Sequence, residues 1–341
     1  MKPKEYTGAA RWHKLGYTGK GVVIAIVDSG VARHPDLTLL DGWGYEGIPP
    51  DQDASGHGTH VAGIAAGRTY GVAPGAKILP VRITAGSGAT GTAMAQGLRW
   101  LLDWKKSHSE RLVVNISYAG TTIPDVLAAI DGLVAQNVPV CVAAGNDGRE
   151  ISELGYYTSP VVVGNLTGGG GMAQDSNCRG KETDCVTVGT TVLSCDKNGG
   201  YCYKSGTSMA APAVAGMLAL ILGRYPNFTE PEAVDYLLAT GRDELVQCRG
   251  GQHFLPHVSF AHAPLPGEAG LTAQRRVIAN LQKGRAAVLR DKPGGEKIGN
   301  ITNGRIVVQL AQNGDSIRVA YPKSKTETGL GWLSKKYLRE V

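Results

Sequence analysis

Val22-Val-Ile-Ala-Ile-Val-Asp28-Ser-Gly30 is the stretch that decides the fold. Six apolar residues run without a polar break and stop at an acid followed by a glycine. A strand apolar on both faces suits a parallel sheet covered by helices on each side. Further runs of this kind are Ile78–Ile83, Leu112–Ile116, Val138–Ala144, Val161–Gly164 and Val186–Val192. Helical periodicity lies between them, over Thr59–Ala66, Thr92–Lys105, Pro124–Gln136, Ser208–Leu222 and Pro231–Leu238. The alternation predicts a doubly wound, mostly parallel α/β domain whose ligands bind at the carboxyl ends of the strands.

The pattern stops after about Cys248. His262–Gly270 is rich in Pro and Gly and reads as a linker. Beyond it, the short runs Ala286–Leu289, Ile306–Leu310 and Ser316–Ala320 are separated by turn pairs such as Asn303-Gly304 and Asn313-Gly314, which predicts a small β-barrel. The charge changes at the same place. Leu271–Val341 holds 14 Lys and Arg against 5 Asp and Glu, a balance of +9, so the total of +6 leaves −3 for Met1–Gly270. The expected organisation is a large α/β domain over 1–261, a linker over 262–273 and a barrel over 274–341. A length of 341 residues suits one large domain and one small one.

A hydrophobic share of 42% excludes a disordered chain. The longest apolar run, around Met217–Leu222, falls short of the roughly 20 residues that cross a bilayer. Val22–Val27 is too short, and Met1–Lys20 too polar, for a secretory leader. Five of six cysteines fall late, with Cys178 and Cys185, and Cys195 and Cys202, closely spaced in Gly-rich sequence. This predicts two local disulfides and an oxidising compartment, secreted or periplasmic. The missing leader leaves the cytoplasm open. Cys141 reads as a small buried hydrophobe and Cys248 has no evident partner. No CxxC or neighbouring histidine supports zinc.

Three segments carry chemistry. Asp28 alone is as well explained as a turn former at a strand end. Gly56-His57-Gly58-Thr59-His60-Val61-Ala62-Gly63 sets a histidine between glycines at a helix start; taken alone it reads equally as a capping segment or as an i,i+3 metal pair. Ser205-Gly206-Thr207-Ser208-Met209-Ala210-Ala211-Pro212 opens a long apolar helix, where an isolated Ser would be only a cap. Together, in the order Asp, His, Ser, the three resemble the subtilisin family. The resemblance covers roughly Gly8–Leu238 and includes Gly16-Tyr17-Thr18-Gly19, His34-Pro35-Asp36-Leu37, Gly71-Val72-Ala73-Pro74 and Ala143-Ala144-Gly145-Asn146.

The resemblance implies a serine endopeptidase acting on protein or peptide substrates. Ser208 would be the nucleophile, His57 the general base, Asp28 its orienting carboxylate and Asn146 a side-chain oxyanion donor. Thr207 either assists or is a helix-start hydroxyl. Substrate backbone would pair with Ser117, Tyr118, Ala119 and Gly120 on one side and Gly86, Ser87 and Gly88 on the other. Tyr118 and Ala119 depart from the family's usual Leu and Gly. The pocket floor would fall at Arg149–Glu153, where a carboxylate would favour a basic side chain unless it is solvated.

No cofactor is expected. Asp36 matches a family calcium ligand, but Ala66–Gly71 is too short for the usual calcium loop and contributes Arg68 where oxygen ligands belong. The tail over Arg285–Leu338 resembles a bacterial SH3 domain through Ala287–Arg290, Pro293-Gly294, Ile298-Gly299, Gly304, Gly331-Trp332-Leu333 and Lys336-Tyr337-Leu338. Such a module implies binding to cell-wall polymer or another anionic surface, with no nucleic acid expected; a plain accessory barrel that packs on the larger domain is the alternative. An inactive subtilase-fold binding protein is the competing reading.

Overall fold

The structure is a computed structural model. It describes residues 1–85, 88–118, 123–148, 159–178, 183–241, 245–248, 254–261 and 263, together with the tail strands named below.

The elements follow in chain order. Helices α1 (Pro3–Tyr6) and α2 (Ala9–Lys14) precede β1 (Val22–Asp28), β2 (Trp43–Gly44) and α3 (His57–Ala66). Then come β3 (Lys77–Arg82), β4 (Thr84–Ala85), β5 (Gly88–Ala89), α4 (Gly91–Ser107), β6 (Arg111–Ile116), α5 (Pro124–Ala135), β7 (Val140–Ala143) and β8 (Val161–Leu166). The main domain closes with β9 (Cys185–Val188), β10 (Val192–Cys195), β11 (Tyr201–Lys204), α6 (Thr207–Arg224), α7 (Glu230–Thr240), β12 (Leu245–Gln247) and β13 (Phe254–Pro256).

Seven strands form one sheet in the order β2-β3-β1-β6-β7-β8-β9, and every pairing is parallel. Side chains along a strand point alternately to opposite faces. In β1 the apolar run therefore feeds two cores. Ile24 and Ile26 pack with α3 and α6, while Val23, Ala25 and Val27 pack with α4 and α5. This is the physical reason that the strand has no polar position before Asp28. The chain runs from β1 outward to β3, then returns to β6 on the other side of β1. The strand order thus switches between β1 and β6, where a crevice opens at the carboxyl ends.

One expected strand divides. Val186–Val192 ends at Val188, and a new strand starts at Val192 to form an antiparallel hairpin with β11. Between them Thr191 adopts a left-handed φ of 54°, which no continuing strand allows. Helix α6 is long and apolar enough to cross a membrane, with a mean hydropathy of 1.4, but 83% of that window is buried inside the fold. It is the central core helix, packed beneath the sheet.

The cysteine expectation is corrected. The disulfide joins Cys178 to Cys248, 70 residues apart, with Cα atoms 5.8 Å apart. Cys185 is free because it faces the α6 side of the sheet, whereas Cys178 packs with Val186 and Leu166 on the other core. Cys195 and Cys202 are free because the hairpin register sets Cys202 opposite Ser194 and Cys195 opposite Tyr201. Neighbouring positions of one strand face opposite ways, so the two sulfurs do not meet.

After β13 the chain returns to the main core. Phe260 is fully buried and stacks on Trp12 with ring centroids 4.5 Å apart. In the tail, β14 (Gln274–Ile278), β15 (Ala286–Arg290), β16 (Lys297–Thr302), β17 (Ile306–Asn313), β18 (Ser316–Ser324), β19 (Glu327–Ser334) and β20 (Leu338–Glu340) form an antiparallel sheet in the order β16-β15-β19-β18-β17-β14-β20.

Candidate active site

The crevice at the β1/β6 switch gathers the sequence motifs. Asp28 is the last residue of β1, and its side chain is buried. Oδ1 accepts the Ser29 N–H at 2.7 Å and lies 2.8 Å from His57 Nδ1. An imidazole whose Nδ1–H points at a carboxylate keeps Nε2 as its free nitrogen. Such a ring is held in one tautomer and can act as a base. Burial draws the His57 pKa down, but the charge and hydrogen bond of Asp28 outweigh it; Lys204 lowers it, Asp53 raises it, and the net shift is upward.

Helix α3 starts two residues before the periodicity predicts, so His57 sits in its first turn. Its approach to β1 needs the following glycine. A Cβ on Gly58 would lie 2.1 Å from the Gly30 carbonyl oxygen and 3.1 Å from Asp28 Cβ. The first helical amides find side chains as acceptors. His57 N–H donates to Ser55 Oγ (3.0 Å), Gly58 N–H to Ser29 Oγ (3.0 Å) and Thr59 N–H to Asp53 Oδ2 (2.8 Å). The orphan donors of a helix start are thereby satisfied. Sequence reading missed Asp53, Ser29 and Ser55. Asp53 lies three residues before the N-cap Gly56, outside the position where an Asp signals a helix start, so no local pattern marks it. His60 is not half of a metal pair: it is buried, and its Nε2 faces the carbonyls of Val192 and Cys202 at 3.2 Å each.

Ser208 is the second residue of α6, where the helix dipole is positive. Pro212 lies four residues on and has no N–H, so it leaves the Ser208 carbonyl free of its helical partner. Ser117 Oγ donates to that carbonyl at 3.0 Å and accepts from Asn115 Nδ2 at 2.9 Å. Ser208 Oγ in turn donates to Ser117 O at 3.3 Å. Ile116 pairs with Val27, so Ser117 follows β6 at the level where Asp28 ends β1. Ser208 is thus tied to the strand beside Asp28.

Asn146 follows β7 and is exposed. Its Oδ1 accepts from Thr207 N–H at 2.7 Å and Thr207 Oγ1 at 3.0 Å. A backbone N–H can only donate, so the atom facing it is the carbonyl oxygen, and Nδ2 is left as the donor end. Gly206 (φ +141°) makes room; a Cβ there would lie 3.2 Å from Asn146 Oδ1. Thr207 Oγ1 also accepts from Gly145 N–H at 3.1 Å, so it is a support for the Asn146 loop.

Of the expected substrate-pairing residues, Gly88 lies exposed in β5, Ser117 is buried and Tyr118 is half-buried. The Tyr118 hydroxyl donates to the Ala89 carbonyl at 2.9 Å and bridges the two expected walls. Gly86, Ser87, Ala119, Gly120 and the expected pocket floor 149–153 lie outside the described residues.

Asp36 does not fit a calcium site. Its carboxylate accepts the Thr69 N–H at 3.1 Å and the Thr69 hydroxyl at 2.6 Å. Arg68 from the same short loop donates to Pro35 O and Thr38 Oγ1 and brings a cation, not an oxygen ligand, to this loop. Among the described residues no cluster of three His, Cys, Asp or Glu could hold a metal.

Residues 19–257 match the subtilase family of peptidases. Subtilisin E of Bacillus subtilis (strain 168) is 35% identical over 245 residues, covering 67% of this chain and 62% of that protein. The chain therefore spans about three-fifths of the length of that relative. Subtilisin of Bacillus pumilus is 34% identical over 245 residues, covering 67% of this chain and 86% of its own. The crystal structure of a cold adapted subtilisin-like serine proteinase superposes with a TM-score of 0.66 at 30% identity, covering 71% of this chain and 90% of that one. With the family match spanning most of the α/β domain and the same fold in a solved relative, the chain belongs to the subtilase family.

Proposed function

We propose that the chain is a serine endopeptidase that cleaves peptide bonds through an acyl-enzyme, with Ser208, His57, Asp28 and Asn146 as its machinery. The observation that carries this reading is the Asp28–His57 pair at the sheet switch point, with Ser208 tied to the neighbouring strand end. Ser208 Oγ attacks the peptide carbonyl while His57 Nε2 takes its proton. The proton passes to the leaving amine, and water then releases the acyl group by the same route. Asp28 holds the imidazole and stabilises its cation. The Ser208 N–H and Asn146 Nδ2 face the developing oxyanion. The Ser208 hydroxyl gives up its bond to Ser117 O and offers its proton to His57 Nε2 as substrate binds, since catalytic hydrogen bonds tighten in the complex. Extended peptides pair with backbone at Ser117–Gly120 and Gly86–Gly88. No cofactor takes part.

A fluorophosphonate probe should label Ser208 in the wild type and fail on Ser208→Ala and His57→Ala. Peptide hydrolysis should vanish with it. Folded, unlabelled wild-type protein would establish the inactive binding protein instead.

The tail is the second half of the proposal: an SH3-like module that binds an anionic surface such as cell-wall polymer. Its antiparallel strands and +9 charge support this. Chain ending at Ala263 should cleave small peptides as before and lose salt-sensitive binding to cell-wall material. Undiminished binding would overturn the targeting role. The Cys178–Cys248 disulfide supports an oxidising, extracellular setting.

A further inference from the structure

The buried carboxylate of Asp53, 7% exposed, takes no direct part in the proposed chemistry, yet it accepts five hydrogen bonds. Oδ1 receives Ser29 Oγ (2.8 Å), Ser55 Oγ (3.2 Å) and Gly56 N–H (2.9 Å). Oδ2 receives Thr59 N–H (2.8 Å) and Thr59 Oγ1 (2.7 Å). Two of these donors open α3, and Ser29 is the residue after Asp28. Through Ser29 Oγ and Ser55 Oγ the same knot reaches the amides of Gly58 and His57. One side chain therefore joins the end of β1, the loop 53–56 and the helix that carries His57.

We propose that Asp53 is a positioning residue: it locks the first turn of α3 against the end of β1 and so sets His57 on Asp28. The proposal rests on the endopeptidase reading for its catalytic consequence. An ionised carboxylate only accepts, which matches five donors. An amide does not. Whichever way Asn is turned, its NH2 group meets a backbone N–H, of Gly56 on one side or Thr59 on the other. An unsatisfied buried donor there displaces the helix start, and a small misplacement of a base costs rate more than binding.

The charge has a second consequence. Four groups act on His57 or lie beside it: Asp28 from β1, Asp53 from the preceding loop, Lys204 from β11 and His60 from the same helix. Asp53 supports the imidazolium. Without its charge the His57 pKa falls, and the acid limb of activity, which needs neutral His57, moves to lower pH.

The test compares wild type, Asp53→Asn and Ser29→Ala by kcat and KM on a small chromogenic peptide across pH. Circular dichroism reports folding and NMR titration reports His57. Asp53→Asn should lower kcat about tenfold or more with KM nearly unchanged, and shift the acid limb and the His57 titration to lower pH. Ser29→Ala breaks the tie but keeps the charge, so kcat falls while the limb stays. Wild-type kcat in both variants overturns the proposal, as does a loss in folded Asp53→Asn with the His57 titration unmoved. If Asp53→Asn does not fold, Ser29→Ala decides: lower kcat at unchanged KM supports the tie, wild-type kcat refutes it. A wild type that neither cleaves nor takes fluorophosphonate defeats the endopeptidase reading alone, because the His57 titration still tests Asp53.

Discussion

Thr207 and Asn146 are joined twice, by the Thr207 N–H and hydroxyl, both donated to Asn146 Oδ1. The helix that carries Ser208 thus aims the amide proposed to meet the oxyanion. Asn146→Ala should lower kcat about 10²–10³-fold, the scale known for such a donor in subtilisin, itself a relative. Thr207→Val removes one of the two ties and should lower kcat several-fold, while Thr207→Ser keeps the hydroxyl and most of the rate. Steady-state kinetics with KM unchanged in all three checks the assignment.

His60 predicts how stability depends on acid. Burial lowers its pKa to about 4, outweighing its bonds to carbonyl oxygens. The folded value lies below the unfolded one of 6.5, so the unfolded chain binds the proton first as pH falls. The stabilisation is present above pH 6.5 and is lost on the way down to about 4, on the order of 3 kcal/mol. Glu230, raised to about 7 by burial, contributes in the opposite sense, so the His60 share is read by difference: between pH 6.5 and about 4 the Tm of His60→Gln should fall less steeply than that of wild type.

Peptide mapping without reductant should recover Cys178 joined to Cys248. Closing a loop over a separation of 70 residues is worth about 4 kcal/mol in chain entropy. Cys248→Ala should therefore lower Tm by several degrees, and reductant should do the same to wild type. Cys185, Cys195 and Cys202 should alkylate only after unfolding or, for half-buried Cys202, slowly before it.

Arg11 Nη1 donates to the carbonyls of Phe260, Ala261 and Ala263 at 2.7, 2.7 and 2.9 Å. This clamp holds the chain where it leaves the core. Arg11→Ala should cost about 2 kcal/mol, since three charge-assisted bonds to part-buried carbonyls are lost together. Truncation before Phe260 should destabilise the α/β domain further, because Trp12 loses its stacking partner. Truncation after Ala263 should leave melting unchanged.

The parallel α/β layering was legible from the sequence because β1 has no polar position before Asp28, and a sheet covered on both faces uses such a strand. The motifs around Asp28, His57 and Ser208 were legible because each sits at an element boundary where the backbone needs glycine, a cap or a helix start. Other features needed the tertiary fold. The cysteine partners were decided by which sheet face each sulfur takes, a matter of register that spacing along the chain does not carry. Asp53 was silent for the same reason: its five donors come from segments up to 24 residues away, gathered only when α3 docks on β1. Local pattern reports the backbone's own demands, whereas a side chain that joins separate segments acquires its meaning only when packing brings them together.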